Sequence, residues 1–449
     1  MQKLYKQLTN LIDHSLRRLQ TMKLCNSYSY NQIYTSFTFD YKNDIIKSNI
    51  ALKLQISAND ILGNINLKIG TKIVKEFIVK DNYILFIIHK NYKKSIYNRV
   101  FQKILCNLYG QLDNKNQNII IDYNTKLNNS LSSQREIFYI QALKQLYQAC
   151  GYNVLINIQP SIRDSLTIFN KIQSYIKENN NKVYLNIDTL NETIINNDHI
   201  TESAKYIFTY LNLFQLPAEK VVSIRGKGYN IDYLHMLNNQ YNLKNTIIQV
   251  DPFYIKSYTN KYSSFSDIQF DYINMAQFNV TIDNHNNILK LNCKEQELIQ
   301  YSFIQHKLDN QYIFDINHND CHLPYIQKML KLINMNFEKM ISLQDTQIYI
   351  LIYSDWSLSK AYIQILNYIL QYEYILELAA KNINLNILER YLFKLCHLAS
   401  SCVYDISKKL DCAKANKHVD KNVLSQKLRI MQMIQYIIIH SLHILNISI

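Results

Sequence analysis

The stretch IIIDYNTKLNNSLSSQREIFYIQALKQLYQACGYNVLINI, residues 119–158, decides the reading of the fold. It opens on a short apolar run, 119–122, which has the length and bounds of a buried strand. Apolar residues then recur at helical spacing over 131–150, and Gly151 supplies a helix stop. A second apolar run, 154–158, follows at once. Two such strands joined through a helix pair in parallel, because a parallel pair needs a long crossover where an antiparallel pair needs only a tight turn.

The same rhythm continues outward. Further strands are expected at 183–187, 221–224 and 246–250, with helices between them. The strand starts, near 119, 154, 183, 221 and 246, are separated by 35, 29, 38 and 25 residues. Those intervals are the length of successive βα units, and they predict a mainly parallel sheet with helices on its faces.

Toward the N-terminus the period changes to two. Phe37, Phe39 and Tyr41 alternate, as do Ile50, Leu52, Leu54 and Ile56, then Ile65, Leu67 and Ile69, and runs at 77–79 and 83–88 follow. Asn59-Asp60, Gly63-Asn64, Gly70 and Asp81-Asn82 punctuate them. Four or five strands in an antiparallel meander are expected over 34–89, then a helix near 95–109 ended by Gly110. Residues 1–24 place Leu4, Leu8, Leu11, Ile12, Leu16 and Leu19 on one face of a basic helix. That pattern reads as a packed N-terminal helix, with a transit peptide as the alternative.

Beyond the sheet come a hairpin over 268–293, a strand at 312–316, a helix at 323–341 and a strand at 348–353. From 357 everything reads as helix: 357–380, 384–411 and 420–446. The expected fold class is therefore α/β: an N-terminal antiparallel β-meander, a central mainly parallel sheet with flanking helices, and a helical C-terminal region. The expected divisions are 1–110, 111–356 and 357–449.

At 449 residues the chain suits two or three domains. Its net charge of +14 favours polyanionic partners. Six Gly and four Pro, against 36 Tyr and one Trp, mark a coding sequence biased toward A and T more than a structural demand. No apolar run reaches the ~18 residues of a membrane span. The eight cysteines include no CxxC pair, a pattern that favours a reducing compartment.

Ligands of open α/β sheets sit beyond the strands' carboxyl ends. The residues to inspect there are Asp122, Asn157, Gln159, Asp188, Arg225, Asp251 and Asp355. Arg225, Gly226, Lys227 and Gly228 form a basic glycine turn suited to phosphate, while Asp188 and Asp251 are the candidate catalytic or metal-handling carboxylates. The turn matches neither the dinucleotide fingerprint nor the P-loop spacing, and a tight strand-to-helix turn or helix-capping Asp explains much of this rim without a ligand. His318, Cys321 and His322 group three potential metal ligands within five residues, one short of a closed zinc site. No motif specifies a cofactor or a nucleophile. Cations and rings interleave at 90–99 and 254–262, as single-stranded nucleic-acid binders require, though base bias inflates both residue types.

Across the whole chain the excess of Asn, Ile, Lys and Tyr, with so few Gly and Pro, resembles hypothetical reading frames of red-algal plastid genomes. The resemblance implies a stromal plastid location, with a mitochondrion as the alternative. The functional expectation is a basic accessory factor binding RNA or an organellar protein complex. Two alternatives stand beside it: an enzyme acting on a phosphorylated small ligand at the strand ends, and a structural subunit. Nothing in the sequence sets the oligomeric state.

Overall fold

The computed structural model describes residues 2–41, 43–65, 73–123, 131–157, 176–179, 182–187, 190–196, 199–200, 220–226, 245–250, 253–256, 262–263, 293–306, 312–315, 321–342, 358–415 and 420–447. The N-terminal elements are α1 (Gln2–Thr21), α2 (Tyr30–Tyr34), β1 (Phe37–Asp40), β2 (Ile45–Ser48), α3 (Ile50–Leu54), α4 (Ala58–Gly63), β3 (Val74–Lys80), β4 (Tyr83–Ile88) and α5 (Lys90–Leu105). The middle of the chain holds β5 (Asn118–Tyr123), α6 (Leu131–Ala149), β6 (Asn153–Asn157), β7 (Ile176–Asn179), β8 (Lys182–Ile187), β9 (Leu190–Asn196) and β10 (His199–Ile200). It continues with β11 (Lys220–Gly226), β12 (Asn245–Val250), β13 (Phe253–Lys256), β14 (Tyr262–Ser263), α7 (Cys293–Gln305) and β15 (Tyr312–Asp315). Last come α8 (Leu323–Ser342), α9 (Lys360–Ile369), α10 (Tyr372–Asn382), α11 (Asn386–Lys414) and α12 (Lys421–Ile444).

These elements form two compact units. One joins the two ends of the chain, 1–112 with 322–443 and 449; the other holds 113–321 and 444–448. The fold class is the expected one: an N-terminal antiparallel sheet, a parallel sheet and a helical C-terminal region. Among the described residues no helix is long and apolar enough to cross a membrane.

In the first unit, α1 buries Leu4, Leu8, Leu11, Ile12, Leu16 and Leu19, the face the sequence marks as apolar. A capping box opens α2, where the Gln32 amide donates to Ser29 Oγ at 3.2 Å and the Ser29 amide to Gln32 Oε1 at 2.7 Å. The sheet runs β1-β2-β4-β3, antiparallel throughout. Asp81 and Asn82 join β3 to β4 with φ of 51° and 58°, the conformation a two-residue hairpin needs. The alternation over 50–56 is misleading, because Ile50–Leu54 is a helical turn. Ile50 and Ala51 are buried side by side while Leu52 stays 43% exposed, so the apolar residues do not share one strand face.

In the second unit, the sheet β12-β11-β5-β6 is parallel at every junction, and α6 packs against it. Strands expected at 119–122, 154–158, 221–224 and 246–250 are all members. The strand expected at 183–187 lies elsewhere: β8 pairs antiparallel with β7 and β9 in a second sheet, β10-β9-β8-β7. The hairpin expected over 268–293 and the strand at 348–353 lie outside the described residues.

The C-terminal helices of the first unit are held by a ladder of tyrosines. Tyr368 stacks on Tyr391 at 4.7 Å and 8°, and Tyr372 stacks on Tyr391 at 5.7 Å. Tyr109 lies 5.8 Å from Tyr372, and its hydroxyl donates to the Ile369 carbonyl at 2.8 Å. Tyr372 OH meets His440 Nδ1 at 2.6 Å, and Tyr436 stacks on that imidazole. Burial pushes the Tyr109 and Tyr391 hydroxyls well above their ordinary pKa. Such rings, each with its polar tip satisfied, fill a core without leaving a donor unpaired.

Candidate nucleic-acid interface

Helix α11 spans 29 residues, about 43 Å at helical rise. Its inner face is continuous: Leu388, Tyr391, Leu392, Leu395, Cys396, Ala399, Cys402, Val403, Ile406 and Leu410 are all buried. The opposite face recurs with steps of four and three residues. Arg390, Lys394, His397, Ser401, Tyr404 and Lys408 are exposed there, and Tyr404 keeps half of its surface (50%) in solvent. Residues three and four apart lie side by side on a helix. The stripe is therefore one surface about 27 Å long, cationic at both ends with a ring between.

Three carboxylates near this surface are already engaged. Glu389, fully buried, takes His322 Nδ1 at 2.6 Å, and the His322 ring lies flat on Phe393 at 3.7 Å. Asp405 accepts from Lys427 at 2.5 Å and from Tyr362 OH at 2.9 Å. Burial alone raises its carboxyl, but the hydrogen bonds from Lys427 and Tyr362 outweigh it and hold it below the usual range. Asp411 pairs with Lys339 at 2.8 Å. Arg390, Lys394 and Lys408 face no carboxylate within 4 Å among the described residues, so their charges stay available to an anion. Lys409 lies so close to Lys427 that its ammonium is pulled below the usual lysine range, a sign of surplus positive charge at this end of α11.

The residues singled out from the sequence are placed as follows. Arg225 and Gly226 end β11, opposite Gln249 and Val250 of β12, at the carboxyl edge of the parallel sheet. Lys227, Gly228 and Asp251 follow these strands directly and lie outside the described residues. Asp188 also lies outside them, and the strand before it belongs to the antiparallel sheet. Asp122 is buried in β5 and accepts from Ser223 Oγ at 3.2 Å. Cys321 Sγ faces the Leu298 carbonyl at 3.7 Å, His322 is bound to Glu389, and His318 lies outside the described residues. No group of three His, Cys, Asp or Glu among the described residues could hold a metal ion. In the basic–aromatic run at 90–99, three groups are spent internally: Tyr92 bonds Gln7, Lys93 bonds Asp44, and Tyr97 donates to Asn367 at 2.6 Å, while Lys90 and Arg99 are exposed.

The α11 stripe is not visible as a run in the sequence, because its members sit three or four residues apart. The signal that finds it is the complement of the core pattern: wherever 384–411 is apolar at helical spacing, the intervening phase holds Arg390, Lys394, His397, Tyr404 and Lys408.

Comparisons with known proteins fall on the same helices. Residues 329–449 match the family model of the DALR anticodon binding domain. The whole chain resembles solved arginyl-tRNA synthetase structures. A protein assigned as that enzyme in Campylobacter jejuni has 12% identity and a TM-score of 0.60, covering 80% of this chain and 99% of its own. The enzyme of Thermus thermophilus, 10% identical, covers 98% of each chain at 0.59. That of Plasmodium falciparum, 9% identical, covers 99% of this chain and 98% of its own at 0.60. At these identities the likeness establishes a shared fold. No curated protein matches the chain by sequence.

These findings correct two expectations. The likeness to hypothetical red-algal plastid frames rests on composition alone, which biased codons reshape without altering the buried pattern that specifies a fold. The matched domain family and the shared fold also overturn the reading as an uncharacterised accessory factor. The family is one of RNA-binding domains by its description, which keeps the RNA half of the partner expectation and gives the organellar complex no support.

Proposed function

We propose that this chain is a tRNA-charging enzyme of the arginyl type, whose helices α8–α12 grip the anticodon arm of a tRNA. One coincidence carries the reading: the anticodon-binding family match covers the helix whose outer face bears Arg390, Lys394, His397, Tyr404 and Lys408. Cations along such a face track phosphates, and an exposed ring offers a stacking surface to an unpaired base. The synthetase likeness over nearly the full length of two solved chains supports ligation chemistry in the other unit. By the rule for open parallel sheets, that chemistry belongs at the carboxyl edge of β12-β11-β5-β6, where Arg225 and Gly226 end their strand and Lys227, Gly228 and Asp251 follow in sequence.

The test is to incubate the purified chain with ATP, labelled arginine and tRNA, and to measure binding of the same tRNA with native and altered anticodons. The reading expects arginine in the tRNA fraction and tighter binding of the native anticodon. Binding without charging would remove the ligase assignment and keep tRNA recognition. Equal affinity for any anticodon, with no charging, would overturn both.

A further inference from the structure

Several lysines of the first unit are held by carboxylates. Lys93, Lys103, Lys339 and Lys427 each face a carboxylate: Asp44, Glu373, Asp411 and Asp405. Their charges are cancelled where they stand. Lys394 is different. Its ammonium lies 5.3 Å from the centre of the Tyr41 ring and 6.0 Å from that of Tyr368. Aromatic faces attract a cation without neutralising it. Lys394 is thus positioned yet still carries its full charge on an exposed surface.

The rings are themselves fixed. Tyr41 meets Tyr368 edge to face at 5.1 Å and 73°, and Tyr368 is buried against Tyr391. The connection between β1 and β2 that carries Tyr41 is pinned three residues on. Asp44 pairs with Lys93 and accepts from Asn367 Nδ2 at 3.0 Å, and Tyr97 donates to the same Asn367. A flexible side chain near the N-terminal end of the α11 stripe is thereby ordered by a ring that directly follows β1.

We infer that Lys394 is a phosphodiester-binding position and that Tyr41 is the positioning residue that pre-orders its ammonium. The inference rests on the RNA-binding reading above and adds the N-terminal sheet to that interface. Its physical basis is that ordering a lysine before binding removes rotamer entropy that the phosphate contact would otherwise have to overcome.

Fluorescence anisotropy of a labelled tRNA anticodon stem-loop, read over a salt series with the full chain, separates the two roles. Lys394→Met, which keeps the apolar stem, should lower the slope of log affinity against log salt by about 0.7–0.9, the loss of one phosphate contact. Tyr41→Ala should weaken binding about two- to fivefold, the range of an exposed cation–π contact, with the slope unchanged because the charge remains. Tyr41→Phe should bind as wild type, since the ring face acts and the hydroxyl does not. Should Tyr41→Ala fail to fold, Tyr41→Leu keeps apolar bulk without the π face and carries the same expectation.

An unchanged slope in Lys394→Met overturns the phosphate contact. Wild-type affinity in the ring-less variant, or Tyr41→Phe as weak as Tyr41→Ala, overturns the positioning role. Wild-type protein that binds no stem-loop sinks the RNA-binding reading first and this inference with it, an outcome distinct from the others.

Discussion

Replacing Gly110 by alanine puts a methyl group where two rings already stand. The residue has φ of +89°, in the left-handed region that side-chain-bearing residues avoid at a cost of about 1–2 kcal/mol. The added Cβ would lie 2.8 Å from His440 Cε1 and 2.8 Å from Tyr372 Cε1, inside any real carbon contact. Neither ring can step aside cheaply. Tyr372 OH and His440 Nδ1 are bonded at 2.6 Å, Ser441 Oγ donates to the same hydroxyl at 3.1 Å, and Tyr436 covers the imidazole. Overpacking of this kind costs about 1–3 kcal/mol, and breaking the tyrosine–histidine bond adds about 1. The total is about 3–6 kcal/mol, which for a unit of this size corresponds to a fall in Tm on the order of 10 °C. Thermal unfolding by circular dichroism reads it directly. A double variant, Gly110→Ala with His440→Ala, should recover part of the steric loss, a coupling of at least about 1 kcal/mol. A Gly110→Ala protein melting within about 2 °C of wild type, or two losses that simply add, would refute the reasoning.

Burial, with His443 adding to it, holds the His440 imidazole down to about 4, against about 6.5 in an unfolded chain. The folded state thus refuses a proton the unfolded state accepts. Its contribution is complete above pH 6.5 and is lost as pH falls toward 4, by up to about 3 kcal/mol, and urea titrations of wild type and His440→Gln across that window should diverge accordingly. Tyr404→Ala should weaken stem-loop binding by about 1–3 kcal/mol while leaving the melting temperature within a degree or two, because the ring is half exposed; Tyr404→Phe should restore binding. His322→Ala removes a hydrogen-bond partner from the fully buried Glu389 carboxylate and should destabilise the first unit by about 2–4 kcal/mol, measured by chemical denaturation, whereas adding Glu389→Gln to it should recover stability by removing the buried charge.

Much of this architecture is legible in the sequence where one period runs unbroken. The leucines of α1, the repeat that opens at 119–158 and the long helices α11 and α12 bury residues their spacing assigns, whereas the single helix expected over 357–380 is broken into α9 and α10. Reading fails where short runs carry too little period to decide. Ile50–Leu54 alternates like a strand yet folds as a helical turn, and 183–187 looks like another parallel strand yet joins an antiparallel sheet. Tertiary pairing, which the local pattern does not contain, settles such cases. Tyrosine is the instructive residue. Its abundance reads in the sequence as codon bias, yet Tyr109, Tyr368, Tyr372 and Tyr391 are part of the buried core of the first unit. The α11 stripe forms no consecutive run of Lys and Tyr. At 90–99 Tyr92, Lys93 and Tyr97 are bonded within the protein, while the outward residues of α11 are spaced at three and four.

The central claim is that the outer face of α11 meets RNA, and photo-crosslinking tests it most directly. A tRNA carrying a photoreactive base in the anticodon loop would be irradiated with the full chain, digested and mapped by mass spectrometry. The account predicts crosslinked peptides within Asn386–Lys414, centred on Tyr404, that disappear when Arg390, Lys394 and Lys408 are replaced by glutamate. Crosslinks confined to 113–321, or unaffected by those replacements, would contradict it.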